Sequence, residues 1–137
     1  MSSQAAKQSQ DYFKDLKSRY MNKFKWVTQA FSQPYEIQKK LFPEFVNAAD
    51  QLAIEWEVAL GEMHDSRLTN IQSQMIKELD DYILSISGAD NLKYWNDDAL
   101  CHSQEWEKMR VQAKAILNVM GWDHSNPPES GVIYIGE

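Results

Sequence analysis

Residues 103–121 read SQEWEKMRVQAKAILNVMG, and the fold is decided here. Trp106, Met109, Ala113, Ile116, Leu117 and Met120 return at spacings of three and four. On a helix of about 3.6 residues per turn those positions share one face. The helix is placed from Asp98 or Ser103 to Met120, with Gly121 as its stop.

The same periodicity continues toward the N-terminus. A helix over about residues 66–87 carries Leu68, Ile71, Met75, Leu79, Tyr82 and Ile86 as its buried stripe. Asp65 or Ser66 supplies its N-cap, and Gly88 fits the left-handed position that closes many helices. Upstream, Pro34 suits a first helical turn, and Tyr35, Ile37, Leu41 and Phe42 make a short apolar element. Pro43 has no amide hydrogen to give a helix interior, so a kink or restart is expected there. Phe45, Ala49, Leu52, Trp56, Leu60 and Met63 then form a second regular stripe. A first helix over residues 4–31 carries Phe13, Leu16, Tyr20, Phe24, Val27 and Phe31, and Ser32-Gln33-Pro34 ends it.

Between these helices, residues 89–102 are less regular, and Asn96-Asp97-Asp98 reads as a turn or helix start. After Gly121 the stretch Trp122 to Glu137 is not helical: Asn126-Pro127-Pro128 breaks any helix, and the short β-favouring run Val132-Ile133-Tyr134-Ile135 follows. That run docks on its own bundle or pairs with a partner's sheet edge. The expectation is therefore an all-α fold, an antiparallel bundle of four to five helices with a short extended C-terminal tail. Residues 1–121 form the bundle domain, and residues 122–137 form a non-helical tail packing on it.

Size and composition agree with one globular domain: 137 residues, 43% hydrophobic and 25% charged. Disorder of the whole chain is excluded on these values. The lone Cys101 cannot form an internal disulfide. No apolar run is as long as a membrane span, and the first residues lack the apolar stretch of a signal peptide, so the expected location is cytoplasmic.

Catalytic patterns are missing. Glu62 precedes His64 by two residues, where a helical di-iron motif needs three. No His-x-x-x-His pair, phosphate-binding glycine loop or nucleophile elbow occurs. Cys101 and His102 are adjacent and diverge by about 100° on a helix, and a zinc site needs two more ligands. They read as a buried thiol and a solvated or capping histidine. Glu55 and Glu62 share one side of their helix and Glu57 lies on another, without the paired spacing of a magnesium site. No catalytic residue, cofactor or metal is expected.

Charge is more informative. The net charge is −6, but residues 1–43 carry +5 and residues 44–137 carry −11. Lys7, Lys14, Lys17, Arg19, Lys23 and Lys25 make the first helix basic, with Trp26 outside its apolar stripe. An acidic remainder repels phosphates, so nucleic acid is not the expected partner. Two helices carry surplus apolar positions: Ile54 and Val58 opposite Trp56, and Val111, Ala115 and Val119 opposite Trp106. Asp80, Asp81, Asp97, Asp98, Glu55 and Glu62 are the candidate acidic contacts, with Ile54, Val58, Val111, Val119 and Trp26 as apolar ones. The leading expectation is a non-enzymatic protein–protein interaction module, a small acidic inhibitor of a basic partner, of the toxin-immunity or phage anti-defence type. A self-associating assembly protein is the alternative, and a metal-dependent helical hydrolase the third.

Overall fold

A computed structural model of the chain describes residues 21–63 and 67–130. Phe13, Leu16, Tyr20, His64, Asp65, Ser66 and the Val132–Ile135 run lie outside the described residues. The fold is an all-α helical bundle. In chain order, helix α1 covers residues 21–32, α2 Tyr35–Lys40, α3 Ala48–Glu62, α4 Asn70–Ser85, α5 Asp97–His102 and α6 Gln104–Met120. A 3-10 segment, Ala89–Tyr94, joins α4 to α5. No strand occurs among the described residues.

Local chemistry sets the boundaries. The Asn47, Asn96 and Ser103 side chains each accept from an amide of the following first turn, opening α3, α5 and α6. Both starting points foreseen for the last helix are thus used, with Ser103 dividing two helices. Helix α4 is capped by Thr69 in a reciprocal capping box with Gln72, later than the Asp65 or Ser66 expected. Pro43 does break the chain, and residues 41–47 form an irregular connection before α3. Gly121 is left-handed at φ 73°, and the Trp122 amide donates back to the Leu117 carbonyl at 2.9 Å. Gly88 differs from the expected helix-closing geometry. Its φ of 99° and ψ of 174° lie in a region open essentially to glycine alone.

The packing directions follow from side-chain contacts. Gln72 at the start of α4 donates to the Val119 carbonyl at the end of α6, at 3.1 Å. At the other end, the Lys108 ammonium sits 4.2 Å from the Tyr82 ring centroid. The two helices are therefore antiparallel neighbours. Helix α3 meets α4 through the Trp56 indole, which donates to Asp80 at 3.0 Å.

An aromatic spine runs through the core. Trp122 meets Phe24, Phe24 meets Trp56, Trp56 meets Phe31, Phe31 stacks on Trp106, and Trp106 meets Trp95 edge-on. Ring centroids along it lie 5.5–5.8 Å apart, inside the favourable range for aromatic pairs. The buried indoles are also satisfied as donors. Trp95 donates to the Ile86 carbonyl at 2.7 Å and Trp106 to the Tyr94 carbonyl at 2.8 Å.

Three expected core positions move. Ile71 is 61% exposed, with Ile76 and Ile83 buried on α4 instead, and Phe45 is 60% exposed in the 41–47 connection. Cys101, expected as a buried thiol, is exposed. Trp106 has no exposed surface and touches two aromatic neighbours. Trp106→Ala is expected to cost about 3–5 kcal/mol of stability. Denaturant melts of the variant check this, and a wild-type midpoint contradicts the spine.

Candidate functional site

The acids foreseen as one negative surface separate into two groups. Glu55 is 6% exposed, because it lies on the inner side of α3 beside Trp56. Its carboxylate pairs with Lys23 of α1 at 3.1 Å and accepts from Gln51 at 3.1 Å. It joins two helices and is not a surface contact. Asp80 accepts the Trp56 indole proton. Asp97 pairs with Lys39 at 2.8 Å, and Lys39 also donates to the Val46 carbonyl at 3.3 Å. That lysine ties the end of α2, the 41–47 connection and the start of α5 together. Asp81 pairs with Lys77 at 2.6 Å on the open face of α4, and the pair raises the Lys77 pKa. An exposed pair of this kind contributes little to stability.

Other acids have no ion pair among the described residues. They include Asp98, which is exposed at the start of α5, and Glu62, half-buried at the end of α3. Asp50 and Glu57 of α3 belong with them, both exposed.

The apolar candidates divide in the same way. Ile54 is 43% exposed and Val58 39%. Val111 is exposed, but Val119 is half-buried where the start of α4 crosses the end of α6. Trp26 is half-buried and engaged by its own chain. Its indole donates to the Pro128 carbonyl at 2.7 Å, and its ring meets Phe42 at 76°. It is a tail contact in this structure. Of the basic first helix, Lys7, Lys14, Lys17 and Arg19 lie outside the described residues.

What remains exposed together is one face of α3. Asp50, Ile54, Glu57 and Val58 fall within about 100° of the helix circumference. The opposite side buries Leu52, Glu55, Trp56 and Ala59. The outward face therefore sets an edge of two carboxylates beside an edge of two branched apolar side chains.

A second feature is centred on a residue that the sequence reading passed over. Arg110 is 7% exposed. Its Nε donates to the Gln33 carbonyl at 3.0 Å, and one terminal nitrogen donates to Gln38 Oε1 at 2.8 Å and to the Leu100 carbonyl. The other reaches Glu107 at 3.4 Å. Gln38, fully buried, turns its amide nitrogen to the Ala30 and Phe31 carbonyls. One guanidinium thus closes the ends of α1, α2 and α5 onto α6. Burial lowers the Arg110 pKa, and the neighbouring Glu107 opposes that shift.

Beside Arg110 lies an open cleft of about 430 Å³ lined by Ser32, Tyr35, Glu36, Cys101, Glu107 and Lys114 among others. Its charges are mixed, and each guanidinium nitrogen already donates to a protein acceptor. No group of three or more His, Cys, Asp or Glu residues able to hold a metal occurs among the described residues. No helix among them is long and apolar enough to cross a membrane. Comparison of the chain with family models, curated proteins and solved structures finds no match.

The Arg110 cluster is read here as structural, and this is testable. Arg110→Met keeps the packing volume but leaves the Gln38, Gln33 and Leu100 oxygens without their donor. A loss of about 3 kcal/mol is expected from the unmade buried bonds. Chemical denaturation measures it, and a change below about 0.5 kcal/mol contradicts the role.

Proposed function

We propose that the protein is a non-enzymatic interaction module that captures and inhibits a basic partner, of the kind met in toxin immunity or phage anti-defence. The observation carrying this reading is the α3 face, where exposed Asp50 and Glu57 form one edge and exposed Ile54 and Val58 the other. The net charge of −6 supports it, as does the concentration of negative charge in residues 44–137. A partner helix or loop with Lys or Arg along one side of an apolar strip complements such a face. The carboxylates accelerate encounter, and burial of the two apolar side chains slows release. Each of those side chains is already partly covered, so its further burial contributes on the order of 1 kcal/mol.

Asp80, Asp81 and Asp97 have other partners, so reversing them perturbs the fold or its surface pairs. Asp50→Lys with Glu57→Lys is the cleaner test. Affinity for a basic toxin or nuclease encoded beside this chain is measured at several salt concentrations. Association slows at least ~10-fold at low salt, the difference narrows as salt rises, and the thermal midpoint stays near wild type. Equal affinity of the two proteins at every salt concentration removes the electrostatic part of the proposal. Light scattering addresses self-association through the same face. A mass independent of concentration excludes it, and a dimer lost on Ile54→Asp replaces the proposed partner by a second copy.

A further inference from the structure

Pro127 and Pro128 lie on the non-helical tail that follows the Gly121 stop of α6. We propose that the surface formed by Trp26 and Gln29 of α1 and by Gln33 just after it is a groove for extended Pro-Pro segments, filled in this structure by the chain's own residues 123–130. Trp26 and Gln29 are spaced i, i+3 on one side of α1, and Gln33 follows directly after the helix ends at residue 32. All three present N–H donors to the tail. Trp26 donates to the Pro128 carbonyl at 2.7 Å. Gln29 donates to the Asp123 carbonyl and to its carboxylate, each at 3.2 Å. Gln33 reaches the His124 and Ser125 carbonyls at 3.3 and 3.1 Å. At the far end, the Ser130 amide donates to the Leu41 carbonyl at 2.9 Å.

The recognition is therefore directed mainly at main chain, with the Asp123 carboxylate as one side-chain acceptor. Gln29 is 7% exposed and Gln33 5%, so these donors are buried and need acceptors from whatever occupies the groove. Of the tail side chains from 123 to 129, Pro127 is buried and the others are exposed. Each proline fixes φ near −65°, and the residue before a proline is held extended. Residues 123–125 form a turn in which the Ser125 amide donates to the Asp123 carboxylate at 3.1 Å, and the two trans prolines then hold Asn126 to Pro128 extended. An aromatic side chain whose indole N–H meets a carbonyl of a proline-rich strand is a recurrent way of binding such segments. The groove asks for a proline and a row of carbonyls, and asks little of the other side chains. A partner's extended Pro-Pro segment meets the same demands, and it binds by displacing the tail. The site is separate from the α3 face and stands without it.

The test uses the full chain and a fluorescein-labelled peptide, DHSNPPES, read by fluorescence polarisation. The cis tail competes with the peptide, so wild type binds it weakly. In the full-length variant with Pro127→Gly and Pro128→Gly, the tail loses its preset geometry and the competent fraction rises. Binding tightens at least ~10-fold, and amide exchange across residues 123–130 accelerates. Adding Trp26→Phe to that variant reverses the gain, while the same peptide with both prolines changed to glycine fails to bind. Several results overturn the proposal: unchanged amide exchange in the double-glycine variant, a freed tail without tighter peptide binding, or a gain that survives Trp26→Phe. A double-glycine chain that dimerises and rejects the peptide also overturns it, because a second copy then fills the groove.

Discussion

The stack of Phe31 on Trp106, with Trp56 and Trp95 at its two sides, is the contact on which the rest of the structure depends. It brings α1, α3 and α6 to one point, together with the segment after α4. Large aromatic side chains bury much surface, but an indole carries a donor that must not be stranded. That requirement positions the surroundings. The Tyr94 and Ile86 carbonyls are free to accept because residues 86–95 leave regular helical geometry there. Asp80 stands on α4 where the Trp56 indole reaches it. The irregular passage between α4 and α5 thus serves the core.

Polar groups inside the bundle work at its ends. Arg110 and Gln38 satisfy main-chain carbonyls where α1 and α5 finish. Helix ends leave carbonyls without partners, and burying them unpaired is costly. Glu55 and Lys23 make a similar link between α1 and α3, and Lys39 and Asp97 one between α2 and α5. Two lysines of the basic first part, Lys23 and Lys39, are paired with acids of the remainder in such links. The outward acidic character is correspondingly narrower than the composition implies, and Asp50 and Glu57 on α3 are part of what remains.

Helical periodicity was a sound guide to the number of long elements, to Gly121 and to the break at Pro43. It was weaker on rotation. In α4, Leu79 and Ile86 belong to both the expected and the observed faces, yet Ile76 and Ile83 are buried and Ile71 is not. A stripe chosen from one helix alone can turn by part of a residue step, and only the neighbours fix it. Arg110 was missed because a charged side chain reads as solvated. Its spacing carried the signal, four residues after Trp106 and three before Ala113, inside the buried stripe. Glu55 was similarly visible beside Leu52, Trp56 and Ala59. Trp26, outside the apolar stripe, was assigned to a partner, because periodicity within α1 says nothing of a tail arriving from residue 128.

Hydrogen exchange of the indole N–H protons, resolved by NMR, tests the aromatic spine most directly. The Trp95 and Trp106 indoles are buried and hydrogen-bonded to main chain, so they should exchange only through global unfolding, with one shared free energy. The half-buried Trp26 indole should exchange faster, through release of the tail alone. A Trp106 indole that exchanges as quickly as Trp26 would contradict the account.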